Sequence, residues 1–123
     1  MVNTAVMDVY AKLQIKPGQK VAVVAAGTGA PVVGGVDIVQ KPEDADVVVA
    51  FVLTRADLEG VAAPAVEAAR QDKLAWIAYP KARQLGTDLS RDLLARAVAG
   101  SGIRPVRQVA IDDVWSALRF RPA

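Results

Sequence analysis

The run Asp46-Val47-Val48-Val49-Ala50-Phe51-Val52-Leu53 constrains the fold more than any other stretch of this chain. From Val47 onward it has no polar residue, whereas a strand with one solvated face would alternate polar and apolar with a period of two. Its valines are β-branched and favour extended backbone. A strand of this kind must be covered on both faces, as strands of parallel sheets are. Two shorter runs of the same type, Lys20 to Ala25 and Leu74 to Ala78, flank it in sequence. Together they predict an α/β fold built on a mostly parallel sheet, with Asp46 to Leu53 as its central strand.

The connections carry helical periodicity. Thr4 can cap a first helix in which Ala5, Val6, Val9, Tyr10 and Leu13 recur at helical intervals, and Pro17-Gly18 turns the chain into the first strand. Val36 to Val39 reads as a short second strand and Lys41 to Ala45 as a turn. After the central run, Thr54 can cap a helix with an apolar stripe that includes Leu58, Ala62, Ala65 and Ala69. Pro64 interrupts it, because proline lacks the amide and clashes with the preceding turn, so a kink or fresh start is expected near Ala63-Pro64. Leu89, Leu93, Leu94, Ala97 and Val98 mark one face of a further helix, with Thr87 as its expected N-cap, an Asp92 to Arg96 pair along it, and Gly100-Ser101-Gly102 as its end. Pro105 to Ile111 and Trp115 to Arg121 have strand character and are separated by three residues, which requires an antiparallel hairpin. The expected architecture is one three-layer, Rossmann-like domain spanning residues 1–123, a length suited to a single core.

Composition excludes several chemistries. The chain has no histidine and no cysteine, which removes thiolate nucleophiles, Ser-His-Asp triads, ordinary zinc sites and imidazole proton transfer. Net charge is +2, but residues 81–123 carry eight Lys or Arg against four Asp or Glu. That excess lacks the dense basic stripe with interleaved aromatics of a nucleic-acid binder, so no nucleic-acid partner is expected. No window approaches 18 apolar residues and Met1 to Met7 lacks a secretory signal pattern, so the expectation is a soluble, cytoplasmic protein, monomeric or homodimeric.

One stretch departs from core-like sequence. Tyr79 to Asp92 joins the end of a strand to the start of a helix, the edge at which open α/β sheets usually bind ligands. It holds Lys81, Arg83, Thr87, Asp88 and Arg91, and Asp113 and Trp115 in the hairpin turn are candidates to join them. Lys81 can supply charge, and the Thr87 hydroxyl and nearby amides can supply hydrogen bonds, to a phosphate or carboxylate. The alternative is structural: Thr87 and Asp88 cap the helix, Lys81 pairs with Asp88 or Asp113, Asp112 and Asp113 satisfy turn amides, and Trp115 packs on a sheet face. Asp88, Asp92, Asp112 and Asp113 offer oxygen ligands for a hard cation, although no metal or other cofactor is expected. The loop Gly27-Thr28-Gly29-Ala30 follows the first strand as phosphate-binding turns do. It lacks the third glycine of the dinucleotide pattern, which would fall at Val32, and any Walker G-K-[ST].

Across nearly its whole length the chain resembles a family of small bacterial proteins classed as a domain of unknown function. The resemblance is carried by Leu13 to Gly18, Asp46 to Phe51, Thr54 to Glu59, Trp76 to Lys81, Thr87-Asp88-Leu89 and Asp112 to Leu118. Relatives often have tryptophan at Tyr79 and glycine at Ala117. The likeness implies a fold and assigns no reaction. A more distant resemblance to class I methyltransferases, which share the sequence order of strands, crossovers and final hairpin, implies that the last strand inserts beside the fourth. The sheet order would then be 2-1-3-4-6-5. The leading expectation is a non-enzymatic domain that binds a small anion or a protein partner at residues 79–92. The alternatives are a reduced methyltransferase-like or nucleotide-handling enzyme using Gly27 to Ala30, and a structural or assembly protein.

Overall fold

The computed structural model describes residues 11–26, 37–81 and 84–123. Among them, six strands form one sheet: β1 (Lys20–Ala25), β2 (Asp37–Ile38), β3 (Val47–Phe51), β4 (Leu74–Pro80), β5 (Ile103–Ala110) and β6 (Trp115–Pro122). Two helices, α1 (Ala63–Arg70) and α2 (Arg91–Val98), lie in the connections that follow β3 and β4. The sheet order is β2-β1-β3-β4-β6-β5, with β1 to β4 parallel and the last hairpin antiparallel, as expected. Ala11 and Lys12 are helical, and the rest of the expected first helix lies outside the described residues, as does the Gly27 to Ala30 loop.

All five residues of β3 are buried, which explains the unbroken apolar run. Val48 and Ala50 face a cluster that holds Ala65 and Ala69 of α1 and Leu94 and Val98 of α2. The alanines of α1 bring its axis close to the sheet, because a small side chain leaves little to separate them. Val47, Val49 and Phe51 face the other way, against Leu13, Ile15, Trp76 and Trp115. Trp76 is fully buried, and its Nε1 donates to the Leu13 carbonyl at 2.9 Å, so the indole is satisfied where water cannot reach it.

Several boundaries move from their expected places for identifiable reasons. The helix expected from Thr54 is a 3-10 turn over Arg55–Leu58, after which α1 begins afresh at Ala63 with Pro64 in its first turn. There proline's missing amide costs nothing, because the first helical amides have no intrahelical acceptor. At the other end of α1, Asp72 adopts φ 59° and the Lys73 amide donates to the Ala68 carbonyl at 3.0 Å, a left-handed helix cap. β4 extends through Tyr79 and Pro80 because β6 pairs with them, through Ser116 and Trp115. Central pairing therefore lengthens the strand beyond its apolar run. The expected Val36 to Val39 strand is reduced to Asp37–Ile38 among the described residues.

Candidate functional site

The parallel strands β1, β3 and β4 end at one edge of the sheet, in register through Ala25, Phe51 and Ala78. β6 begins at that edge, with Trp115 opposite Pro80. Strand order reverses at β1, which has β2 on one side and β3 on the other, so the edge contains the switch point at which open α/β sheets bind ligands.

Most of the polar side chains at this edge bind backbone. The Thr87 hydroxyl donates to the Leu53 carbonyl at 2.6 Å and accepts from the Leu89 amide at 3.0 Å. Asp88 Oδ1 accepts from the Arg55 amide at 2.8 Å. Asp57 Oδ2 accepts from the amides of Leu53 and Thr54 at 2.8 and 3.0 Å. The segment between β4 and α2 is thus fastened to the chain leaving β3, and the expected Thr54 cap is supplied chiefly by the Asp57 carboxylate. Thr87 is not the cap of α2. Ser90 is, its Oγ accepting from the Leu93 amide at 3.2 Å. Leu85 and Gly86 both have positive φ, and the chain from Thr87 to Ser90 does not yet follow the helix, which delays the helix start by three residues.

The hairpin turn follows the same rule. Asp112 Oδ1 accepts from the amides of Val114 and Trp115 at 2.8 and 2.7 Å, closing an Asx turn. Trp115 is 2% exposed and meets Phe51 edge to face with ring centroids 5.4 Å apart. It is core, and it offers a ligand no surface. Asp113 is exposed and forms no side-chain hydrogen bond or ion pair among the described residues. The expected Asp92 to Arg96 pair is replaced by an exposed contact from Arg91 Nη1 to Asp92 at 3.3 Å. Arg83 lies outside the described residues.

Lys81 differs from its neighbours. Its backbone is fixed, since its amide donates to the Val114 carbonyl at 2.7 Å and its carbonyl accepts from the Gln84 amide at 2.9 Å. Its side chain is half-buried and forms no ion pair among the described residues, so the expected pairing with Asp88 or Asp113 does not occur. The edge therefore joins Lys81 to the hairpin turn, and Thr87 and Asp88 to the end of β3.

The surroundings of one polar group beside this edge gave no sign in the sequence. Tyr79 is 3% exposed, and its hydroxyl accepts from Gln108 Nε2 at 3.2 Å. Burial pushes its phenol above the ordinary tyrosine range, while the Arg91 charge, the Gln108 amide and the Ser116 hydroxyl oppose the shift in part. The pairing of Tyr79 with Ser116 and of Gln108 with Leu118 brings these groups together, and it depends on strand register that no single run of residues displays. Among the described residues no three Asp or Glu side chains converge as a metal site would require, and Asp88 and Asp112 belong to separate anchors. A groove beside Pro64 and Glu67 and another between α1 and α2 are lined, among the described residues, by none of the candidate residues. No helix of the described residues is long and apolar enough to cross a membrane. No protein-family model matches the chain, and a search of curated proteins returns no match.

Proposed function

We propose that this protein is a binding domain that takes a small anion, phosphate or carboxylate, at the strand-to-helix join 79–92, with Lys81 as the positive charge. The observation that carries this reading is the contrast at that edge. Asp57, Thr87, Asp88 and Asp112 bind backbone groups, whereas Lys81 is half-buried, with a fixed main chain and no carboxylate partner among the described residues. A partly desolvated lysine gains more from an anion than an exposed one, because its charge is less screened. Arg91 and Asp113, both exposed, border the join and would set which anions fit. An acidic segment of a protein partner would present the same chemistry. We place the sheet within a three-layer, Rossmann-like sandwich: two helices pack on one face, and Leu13 and Ile15, after a helical Ala11-Lys12, pack on the other.

The sheet order favours a second reading, a reduced methyltransferase-like protein, since that likeness implied the insertion of the last strand beside the fourth. This rests on fold analogy, which does not assign activity. A thermal-shift panel of inorganic phosphate, citrate, nucleotides and S-adenosylmethionine separates the two. A ligand at one hundred times its dissociation constant stabilises by about 2.7 kcal/mol. The binding reading expects a shift with phosphate or citrate that Lys81→Met abolishes. A shift with S-adenosylmethionine alone, unchanged in Lys81→Met, overturns it in favour of the second.

A further inference from the structure

Four arginines share one face of the terminal hairpin, at the end of the sheet opposite the join. Arg104 stands directly across from Arg121, and Arg107 directly across from Arg119. A bulge between Pro105 and Arg107 keeps both β5 arginines on the same face. It is the face on which Trp115 and Ala117 of β6 meet the second core cluster. Cross-strand neighbours lie about 5 Å apart and residues two apart on a strand about 7 Å apart, so the four guanidinium groups spring from a compact rectangle. Like charges set directly opposite destabilise a sheet, and here the arrangement occurs twice in succession.

Among the described residues, little neutralises the rectangle. Arg121 holds Asp72 in a two-pronged pair at 2.9 and 3.0 Å. Arg119 reaches a neutral acceptor, Gln14 Oε1, at 3.3 Å, and its Nε is shielded from solvent with no hydrogen-bond partner. Arg104 and Arg107 are exposed and form no ion pair among the described residues. Guarding a sheet edge explains part of this, since Pro105, the bulge and two charges on β5 all discourage a further strand. It does not explain Arg119 and Arg121, because β6 is already paired on both sides by β4 and β5.

We propose that this rectangle is a binding site for linked phosphates, a short oligophosphate chain. Arginine's planar fork matches phosphate oxygens two at a time, and all four positions carry arginine rather than lysine. Among the described residues every aromatic side chain, Phe51, Trp76, Tyr79, Trp115 and Phe120, is buried, so the described surface offers no platform for stacking bases and presents phosphate contacts alone. Asp72 occupies one fork of the array as a built-in competing anion. It sits at φ 59°, a conformation that asparagine adopts readily, so Asp72→Asn removes the competitor with little change to the backbone.

Calorimetric titration with tripolyphosphate at low salt tests the site. In the Lys81→Met background, which removes any phosphate bound at the join, binding should weaken about tenfold or more in Arg104→Gln/Arg107→Gln and tighten severalfold in Asp72→Asn. Undiminished binding in the double variant overturns the proposal, as does the absence of binding at millimolar tripolyphosphate. Equal affinity for an oligoglutamate of matched charge assigns the face to an acidic protein instead, and much tighter binding of a short DNA duplex assigns it to a nucleic-acid backbone. Either result also overturns it.

Discussion

At the edge where the parallel strands end, Asp57, Asp88, Asp112 and Thr87 each bind main-chain groups of a neighbouring segment. At the opposite end of the same sheet, Arg104, Arg107, Arg119 and Arg121 crowd one face, and among the described residues one carboxylate, Asp72, pairs with them. The first end has loops, and loops bring unpaired amides that short oxygen-bearing side chains satisfy. The second end is a hairpin whose two strands pair with each other across a bulge, so its side chains have little such duty. The difference teaches that a dense polar stretch next to a turn is first a set of hydrogen-bond partners for the turn. Charge on a regular strand, where the backbone needs nothing, is the less ambiguous mark of a surface that meets something else.

Both ends rest on β3, and the largest expected effect comes from removing what holds it. Phe51→Ala should cost about 3 to 5 kcal/mol, because it opens a cavity in a fully buried strand and removes the edge-to-face partner of Trp115. Denaturant unfolding measures it. A loss below about 1 kcal/mol would mean that the site edge and the hairpin do not share this core.

A smaller effect sharpens the claim that the join is fastened by side chains. Thr87→Ala should cost about 1 to 3 kcal/mol, since it leaves the Leu53 carbonyl and the Leu89 amide without their partner. Ser90→Ala, which removes the true helix cap, should cost about 1 kcal/mol. Equal costs in a double-mutant comparison with Asp88→Ala, additive throughout, would show that the Thr87 and Asp88 anchors work independently. A Thr87→Ala variant as stable as wild type would break the comparison at its first end.

The hairpin, the buried β3 and the restart at Pro64 were legible because each follows from a pattern local to its own residues, period, length or a single proline, whereas the sheet order came from the resemblance to class I methyltransferases. The site was legible in place but less so in detail. Thr87-Asp88 reads as a helix cap because it stands just before an apolar helical stripe, and nothing in the sequence reports that Leu85 and Gly86 turn left-handed or that Leu53 offers a carbonyl 34 residues away. Trp115 beside two aspartates reads first as a residue that packs on a sheet face, and only register sets it against Phe51. The opposed arginines were visible as a C-terminal excess of charge, but pairing across a bulge fixes which of them face each other.

Titration gives a further test at the join. The Tyr79 phenol is raised above its ordinary value, so between that ordinary value and the folded value the native state holds a proton that the unfolded chain has lost. Stability should therefore be intact below the ordinary tyrosine range and fall as pH rises through the folded value. Tyr79→Phe should flatten this alkaline slope in urea unfolding at successive pH values. An unchanged slope would show that Tyr79 ionises as freely as an exposed tyrosine.

The smallest expected effect is the most discriminating, because it asks whether a charge at the join is idle in the absence of ligand. Lys81→Met keeps the apolar stem and removes the ammonium. At the other end, the analogous change Arg107→Gln should stabilise by a few tenths of a kcal/mol, since it relieves a directly opposed like-charge pair. For Lys81 no such repulsion is relieved and no ion pair among the described residues is broken, so apo stability should change by less than about 0.5 kcal/mol in either direction. Had Lys81 formed a buried pair, its removal would cost about 3 to 5 kcal/mol. Thermal unfolding in anion-free buffer decides between these values. A clear destabilisation in Lys81→Met would place Lys81 with Thr87 and Asp88 as part of the scaffold, and the strand edge would then lose its one uncommitted cation among the described residues buried enough to favour an anion.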